Sequence, residues 1–256
     1  MAVREAASLD DLTAMHAVFA AVWQDGLPPV NMAKAIHHAG GYAAVADDGE
    51  RIVGGSLGFL GRGVDGVVIL HSHITGALPG HADRGIGFAL KQHQRSWCLD
   101  HDIATVTWTF DPLVRRNAYF NLTKLGAEVT EYHPDFYGRM EDALNSGDET
   151  DRVLATWRLS SDRAIEAAAG RRAAPTEDGV IALDVGDDGR PVVIEGLDGP
   201  TLLFRVPADI VDVRRRDAAA GLAWRRAART SLGAALGAGY VGTTMTSDGC
   251  YVLRRR

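Results

Sequence analysis

The residues Pro79-Gly80-His81-Ala82-Asp83-Arg84-Gly85-Ile86-Gly87 constrain this chain more than any other stretch. They follow a strand-like run, Val67 to Leu70 continuing through His71-Ser72-His73-Ile74, and lead into a helical pattern at Phe88-Ala89-Leu90. A strand, a glycine-bearing turn and a helix start in that order fit a chain of mixed α/β class. They also make an anion cradle. Glycine lets the backbone come close to a ligand, the first helical N–H groups point outward unpaired, and the helix dipole favours negative charge. A phosphorylated ligand is expected here.

The chain has 256 residues, enough for one large domain or two small ones with a real core. Its net charge of −6 argues against bulk nucleic-acid binding, and Arg254-Arg255-Arg256 reads as a solvated terminus. Cys98 and Cys250 stand outside any metal-type spacing and suit a reducing cytoplasm, with no disulfide framework and no metal expected. No basic-then-apolar leader and no run of about 20 apolar residues is visible, so neither export nor a membrane is expected.

Ser8-Leu9-Asp10-Asp11 has the form of a capping box with Asp for Glu. The helix after it carries Leu12, Met15, Val18, Phe19 and Val22 at helical spacing, and a short helix follows around Met32 to His38. Tyr42 to Ala46, Arg51 to Leu60 and Val67 to Ile74 read as strands, then Gly85 to Asp100 as a helix and Ala104 to Phe110 as a strand. Asp111-Pro112 signals a helix running to Leu125 and stopped by Gly126. Two more strands follow, near Ala127 to Tyr132 and Val153 to Leu159. The spacing thus divides the chain into residues 1–165, a linker at 166–179 rich in Ala, Arg and Gly, and a small α/β domain at 180–256. In the last part, a helix over Ala218 to Leu236 and a hairpin turning at Asp248-Gly249 echo the end of the first domain, as a degenerate half-repeat would. Trp157 and Trp224 read as core anchors, and Arg225, Arg226 and Arg229 as a solvated helix face.

Two motifs in this element order resemble the GNAT acyltransferases, which use acyl-CoA. Pro79, Gly85 and Gly87 match the family's phosphate loop, with Ala82 where the family prefers Arg or Gln and Arg84 near enough to supply charge. Asn117-Ala118-Tyr119-Phe120-Asn121-Leu122-Thr123-Lys124-Leu125-Gly126-Ala127 is similar to the second signature, over a resemblance spanning residues 1–160. It implies an α/β fold with a central mixed sheet whose fourth and fifth strands splay to admit the pantetheine arm. It implies acyl-CoA, acetyl or succinyl, as co-substrate. Ile74, Gly76, Ala77, Ala82, Asp83, Arg84, Gly85, Ile86, Gly87, Asn117 and Phe120 are the expected CoA contacts. Leu122 falls where many members carry a Tyr that protonates the leaving thiolate, and Tyr119 lies one helical turn away.

His71 and His73 lie two apart on one strand, so both side chains point to one face, and imidazole titrates near working pH. Residue types alone allow two half-buried polar side chains. The resemblance to arylalkylamine N-acetyltransferases adds a role in removing the amine proton through water. His37, Trp108 and Asp111 are the expected substrate contacts, with Trp108 also readable as core and Asp111 as a helix cap. The reaction implied is transfer of an acyl group to the amine of a small molecule such as an amino acid. Two alternatives stay open: a CoA-binding module without turnover, favoured by Leu122 and Ala82, and other acyl-CoA chemistry such as decarboxylation. A Rossmann dinucleotide site is disfavoured, because the glycines do not form Gly-x-Gly-x-x-Gly. Residues 175–256 either cover the acceptor cleft or build a homodimer contact.

Overall fold

Ser8 and Asp11 form the reciprocal cap that their spacing predicts. The Asp11 N–H donates to Ser8 Oγ at 3.0 Å and the Ser8 N–H to Asp11 Oδ2 at 3.3 Å. The Arg4 guanidinium grips the same carboxylate, and its hydrogen bonds hold Asp11 well below the usual carboxylate range. This computed structural model describes residues 1–23, 26–81, 84–138, 149–172, 178–194, 196 and 198–255. Its contacts gather into two units: residues 1–108 with 158–160, and residues 109–157 with 161–256.

The first unit contains β1 (Ala2–Glu5), α1 (Leu9–Trp23), α2 (Val30–His38), β2 (Tyr42–Asp47), β3 (Ile52–Arg62), β4 (Val68–Ala77) and α3 (Ile86–Asp100). It ends inside β5 (Thr105–Phe110). Its strands run in the order β1-β2-β3-β4-β5, antiparallel except for the parallel pair β4–β5. Leu12, Met15 and Phe19 of α1 pack on Ala43, Val45 and Leu57, each large side chain contributing about 1.5–3 kcal/mol by leaving water. Two adjacent glycines explain how helices fit on both faces. A Cβ on Gly55 would lie 2.5 Å from Met15 Cγ of α1, and one on Gly54 would lie 2.6 Å from Ile86 Cγ2 of α3. Side chains alternate along a strand, so α1 and α3 cover opposite faces of β3.

The register shifts once between β3 and β4. Gly58 pairs with Ser72 and Leu57 with Ile74, which leaves His73 as the extra residue of a bulge. Bulges bend a strand and re-aim side chains.

The second unit contains α4 (Arg115–Ala118), a π-helical turn (Tyr119–Lys124), β6 (Glu128–His133), β7 (Arg152–Arg158), α5 (Asp162–Ala168), β8 (Val180–Val185), β9 (Pro191–Val193) and β10 (Thr201–Arg205). There follow α6 (Ile210–Arg216), α7 (Ala218–Ala228), a π-helical turn (Arg229–Gly233), α8 (Ala234–Gly237), β11 (Tyr240–Met245) and β12 (Cys250–Arg255). Its strands lie in the order β7-β6-β11-β12-β10-β8-β9. Val129 of β6 pairs with Gly242 of β11, and each stands three residues after a left-handed glycine, Gly126 (φ 74°) and Gly239 (φ 87°). Gly126 is fixed by space as well as by φ, since a Cβ there would lie 2.5 Å from the Arg163 carbonyl oxygen. The helix expected from Asp111 begins later, at Arg115. Asp111 instead closes a turn by accepting from the Leu113 N–H at 2.9 Å.

Candidate functional site

The turn after β4 is built from short backbone bonds. Leu78 N–H reaches back to Val53 O at 2.9 Å, and His81 N–H to Leu78 O at 3.0 Å. Arg84 N–H donates to His81 O at 3.1 Å. Gly85 then caps α3 in the left-handed conformation, φ 75°, where a side chain is strained and glycine is not. Nothing lies within 4 Å of a Cβ placed there, so Gly85 is needed for its dihedral and not for crowding. Arg84 and Gly85 are exposed, Ile86 is buried and Gly87 half-buried. The amides of the first α3 turn have no acceptor within the helix, and the positive end of a 15-residue helix stands behind them. Ala82 and Asp83 lie outside the described residues.

Above this turn, β4 leaves β5. Among the described residues the ladder between them has the pairs Leu70–Val106 and His71–Thr107. Beyond those pairs β4 runs on to Ala77 and β5 to Phe110. The other edge of β4 stays bonded to β3, with Ile74 opposite Leu57 and Gly76 opposite Gly55. The edge toward β5 therefore offers backbone groups of Ile74, Gly76 and Ala77 to an extended ligand. The Trp23 ring occupies the space that a Gly76 side chain would fill, its nearest atom 2.6 Å from a Cβ built there.

His71 stands where the strands part. Its Nδ1 lies 3.3 Å from Thr107 Oγ1, and its ring centroid is 5.0 Å from that of Phe59. His73, the bulge residue, has the same aromatic neighbour at 5.9 Å. Burial, then the nearby His73 and Lys91, push the His71 pKa down to about 4, and burial lowers that of His73 as well. The His71 ring is thus held in the neutral, proton-accepting form at physiological pH, and the more exposed His73 is biased in the same direction. Phe59 is 39% exposed, so the two imidazoles and this ring form an open aromatic wall. His37 is half-buried on α2 of the same unit.

Lys91 is a residue that sequence reasoning misses. It sits on the buried stripe of α3 with Ile86, Leu90, Gln94, Trp97 and Cys98. A lysine interrupting that stripe is the available signal. Its ammonium donates to Ser72 Oγ at 2.7 Å and Gln94 Oε1 at 3.0 Å, and stands 4.0 Å from the centroid of the Trp108 ring. Burial drives its pKa down to about 7. The sign of the resulting pH dependence is fixed. Between pH 7 and the ordinary 10.5 the unfolded chain holds a proton that the folded chain does not, so raising pH across this window stabilises the fold. Lys91→Met should remove that slope, while the desolvation it relieves is offset by the loss of the buried partner of the Ser72 hydroxyl and the Gln94 amide oxygen. Thermal melts at pH 7 and pH 9 check this; a variant whose stability rises between these pH values as steeply as the wild type's contradicts it.

In the second unit, Asp111 is 8% exposed and both its carboxylate oxygens are taken. Arg225 binds it through two N–H groups at 2.9 and 2.8 Å, and Arg214 adds a third at 2.9 Å. These cations hold Asp111 well below the usual carboxylate range, against the opposing effect of burial. The expectation of a solvated arginine face on α7 is corrected here. Arg225 is fully buried, and Arg229 pairs with Asp151 and Glu149, while Arg226 is exposed. Helical spacing could not reveal this, because the partners lie about 80 to 114 residues away. Trp157 and Trp224 are fully buried, as their reading as core anchors requires. Leu122 is buried on the π-helical turn, Tyr119 and Phe120 are half-buried, and Asn117 is exposed.

No family model matches this chain, and no curated protein matches it by sequence. Solved structures do. Naa50 of Arabidopsis thaliana, bound to the bisubstrate analogue CoA-Ac-MVNAL, superposes with a TM-score of 0.50 at 16% identity, covering 60% of this chain and 96% of that one. The ribosomal-protein-alanine N-acetyltransferase of Brucella melitensis gives 0.50 at 16% identity, covering 61% and 98%. This chain has the GNAT acyltransferase fold. Chaetomium thermophilum Naa20, also bound to a bisubstrate analogue, gives 0.50 at 17% identity over 70% of this chain and 94% of that one. The mixed sheet, the parting of β4 from β5 and the glycine-capped α3 are the features of the GNAT fold that the sequence motifs anticipate. Among the described residues no helix is long and apolar enough to cross a membrane.

Proposed function

We propose that this protein is an acyl-CoA-dependent N-acyltransferase that moves an acetyl or succinyl group to the amine of a small molecule such as an amino acid. The observation that carries this reading is the parting of β4 from β5 at His71, beside the imidazoles of His71 and His73 and above a glycine-capped helix start. The α3 start and the turn before it receive the diphosphate of CoA. The pantetheine arm runs along the free edge of β4, where amides between Ile74 and Gly76 polarise the thioester carbonyl. The amine nitrogen attacks that carbon, His71 or His73 takes its proton through a water, and the carbon–sulfur bond breaks to release the CoA thiolate. Neutral imidazoles suit this step, since a protonated ring accepts nothing.

The GNAT fold supports the reading, and the acceptor class is its finer part. Two of the similar structures hold bisubstrate analogues, one of them joined to a peptide, so a protein amine is the acceptor to test against small amines. The assay is release of free CoA thiol from acetyl-CoA or succinyl-CoA on addition of amino acids, aromatic amines or N-terminal peptides. A second reading, a CoA-binding module without turnover, draws on Leu122, a buried aliphatic side chain where a proton-donating hydroxyl is usual. CoA binding without amine-dependent thiol release across the panel would favour that module.

A further inference from the structure

Lys91 has no part in the acyl-transfer step, yet its burial needs a reason. A buried charge is normally paired with an opposite one, because desolvation of an unpaired ion is costly. The neighbours of this ammonium are neutral: the Ser72 hydroxyl, the Gln94 amide oxygen and the face of Trp108. The nearby Cys98 thiol is pushed up to about 12 by burial and carries no charge at neutral pH. Gln94 adds a second unanswered donor. It is completely buried, and its Nε2 has no hydrogen-bond partner among the described residues. Its amide cannot be turned over to relieve this, because its oxygen is already fixed by Lys91.

The position matters as much as the charge. The β4–β5 ladder ends at His71 and Thr107, so Ser72 and Trp108 are the first residues past the last register pair. Lys91 reaches over from α3 and touches both. If the pantetheine arm enters between the strands from the phosphate turn, then whatever extends beyond the thioester points to where the strands meet. That is the acyl chain.

We propose that Lys91, backed by Gln94, recognises a carboxylate at the far end of the acyl chain, so that the preferred donor is the CoA thioester of a dicarboxylic acid. This assignment rests on the acyltransferase reading and settles its acyl group. A carboxylate is acceptor-only, and it supplies the missing negative charge and an acceptor for the idle donors. Its arrival restores the proton that burial makes Lys91 hold weakly.

The test compares succinyl-CoA with its carboxamide analogue, in which the terminal carboxylate is replaced by a neutral amide of the same size, and with acetyl-CoA. The wild type should use succinyl-CoA with a kcat/KM at least about 30-fold above the carboxamide, the discrimination expected of a charge-assisted hydrogen bond. In Lys91→Met the ratio of succinyl to acetyl use should fall about 30-fold or more. Equal use of succinyl-CoA and its carboxamide by the wild type overturns the assignment, as does a ratio unchanged in Lys91→Met. If Lys91→Met does not fold, the wild-type comparison together with Gln94→Leu decides. Thermal shifts separate the assignment from the reading beneath it. CoA binding with no preference for the carboxylate removes only the role of Lys91. No stabilisation by CoA or any acyl-CoA removes the acyltransferase reading and this assignment with it.

Discussion

Replacing His71 and His73 together by alanine should lower kcat/KM for amine acylation by about 10²–10⁴-fold, the range for loss of a positioned general base. Each single replacement should cost less than the double. Both rings lie near Phe59 on one aromatic wall, so either can receive a proton relayed by water. Thermal stability should change little, because Phe59 is already partly exposed and neither imidazole anchors a core. The pH profile carries the sharper signature. With the His71 pKa pushed down to about 4, acid inactivation should begin well below the 6.5 of a free imidazole once the acceptor amine's own ionisation is accounted for. A double variant that retains wild-type kcat/KM, with the acyl-CoA still bound, would remove the histidines from the mechanism.

The second large effect is on stability. Arg225→Ala should destabilise the protein by about 3–5 kcal/mol, because it strips the bidentate partner from a carboxylate that is only 8% exposed. Asp111→Asn should be comparably costly, since it leaves the guanidiniums of Arg214 and Arg225 facing each other without their shared anion. Asp111→Leu combined with Arg225→Met and Arg214→Met should recover part of the loss, as apolar replacement of every member of a buried ion cluster often does. Chemical denaturation with a double-mutant cycle measures the coupling; less than about 1 kcal/mol would show the cluster to be dispensable. The pH dependence follows from the depressed Asp111 pKa. Its stabilisation is complete above the unfolded carboxylate value and is lost as pH falls below about 4. Arg214, Arg225 and Arg229 all come from the part of the chain after residue 180, so a truncation near residue 165 removes the cations paired with Asp111 and Asp151 together with strands β8 to β12 of the same sheet, and should be more destabilising than Arg225→Ala.

How much of the molecule is legible in the sequence depends on the range of the interaction. The capping box of Ser8 and Asp11, the glycine-capped α3 and the end of its preceding strand are local devices, and three or four residues specify them. Simple alternation predicts that His71 and His73 share one face. Both rings lie near Phe59, while the register shift opposite Leu57 and Gly58, which leaves His73 as the bulge residue, has no signal in the sequence. The π-helical turns at Tyr119–Lys124 and Arg229–Gly233 leave no mark in an i, i+3, i+4 pattern, so both read as continuous helix. Arg225 reads as surface because a charge on a helix usually is, and only the fold reveals Asp111 at its tip. Lys91 is a legible clue of another kind: a single cation inside an otherwise buried helical stripe.

Titration of the protein with acyl-CoA, followed by heat or by thermal shift, tests the central claim most directly. One binding site is expected, with a dissociation constant roughly in the micromolar to sub-millimolar range. Binding should weaken at least about tenfold in Gly85→Val, which places a β-branched residue at the left-handed start of α3. Absence of binding, or binding that Gly85→Val leaves untouched, would contradict it.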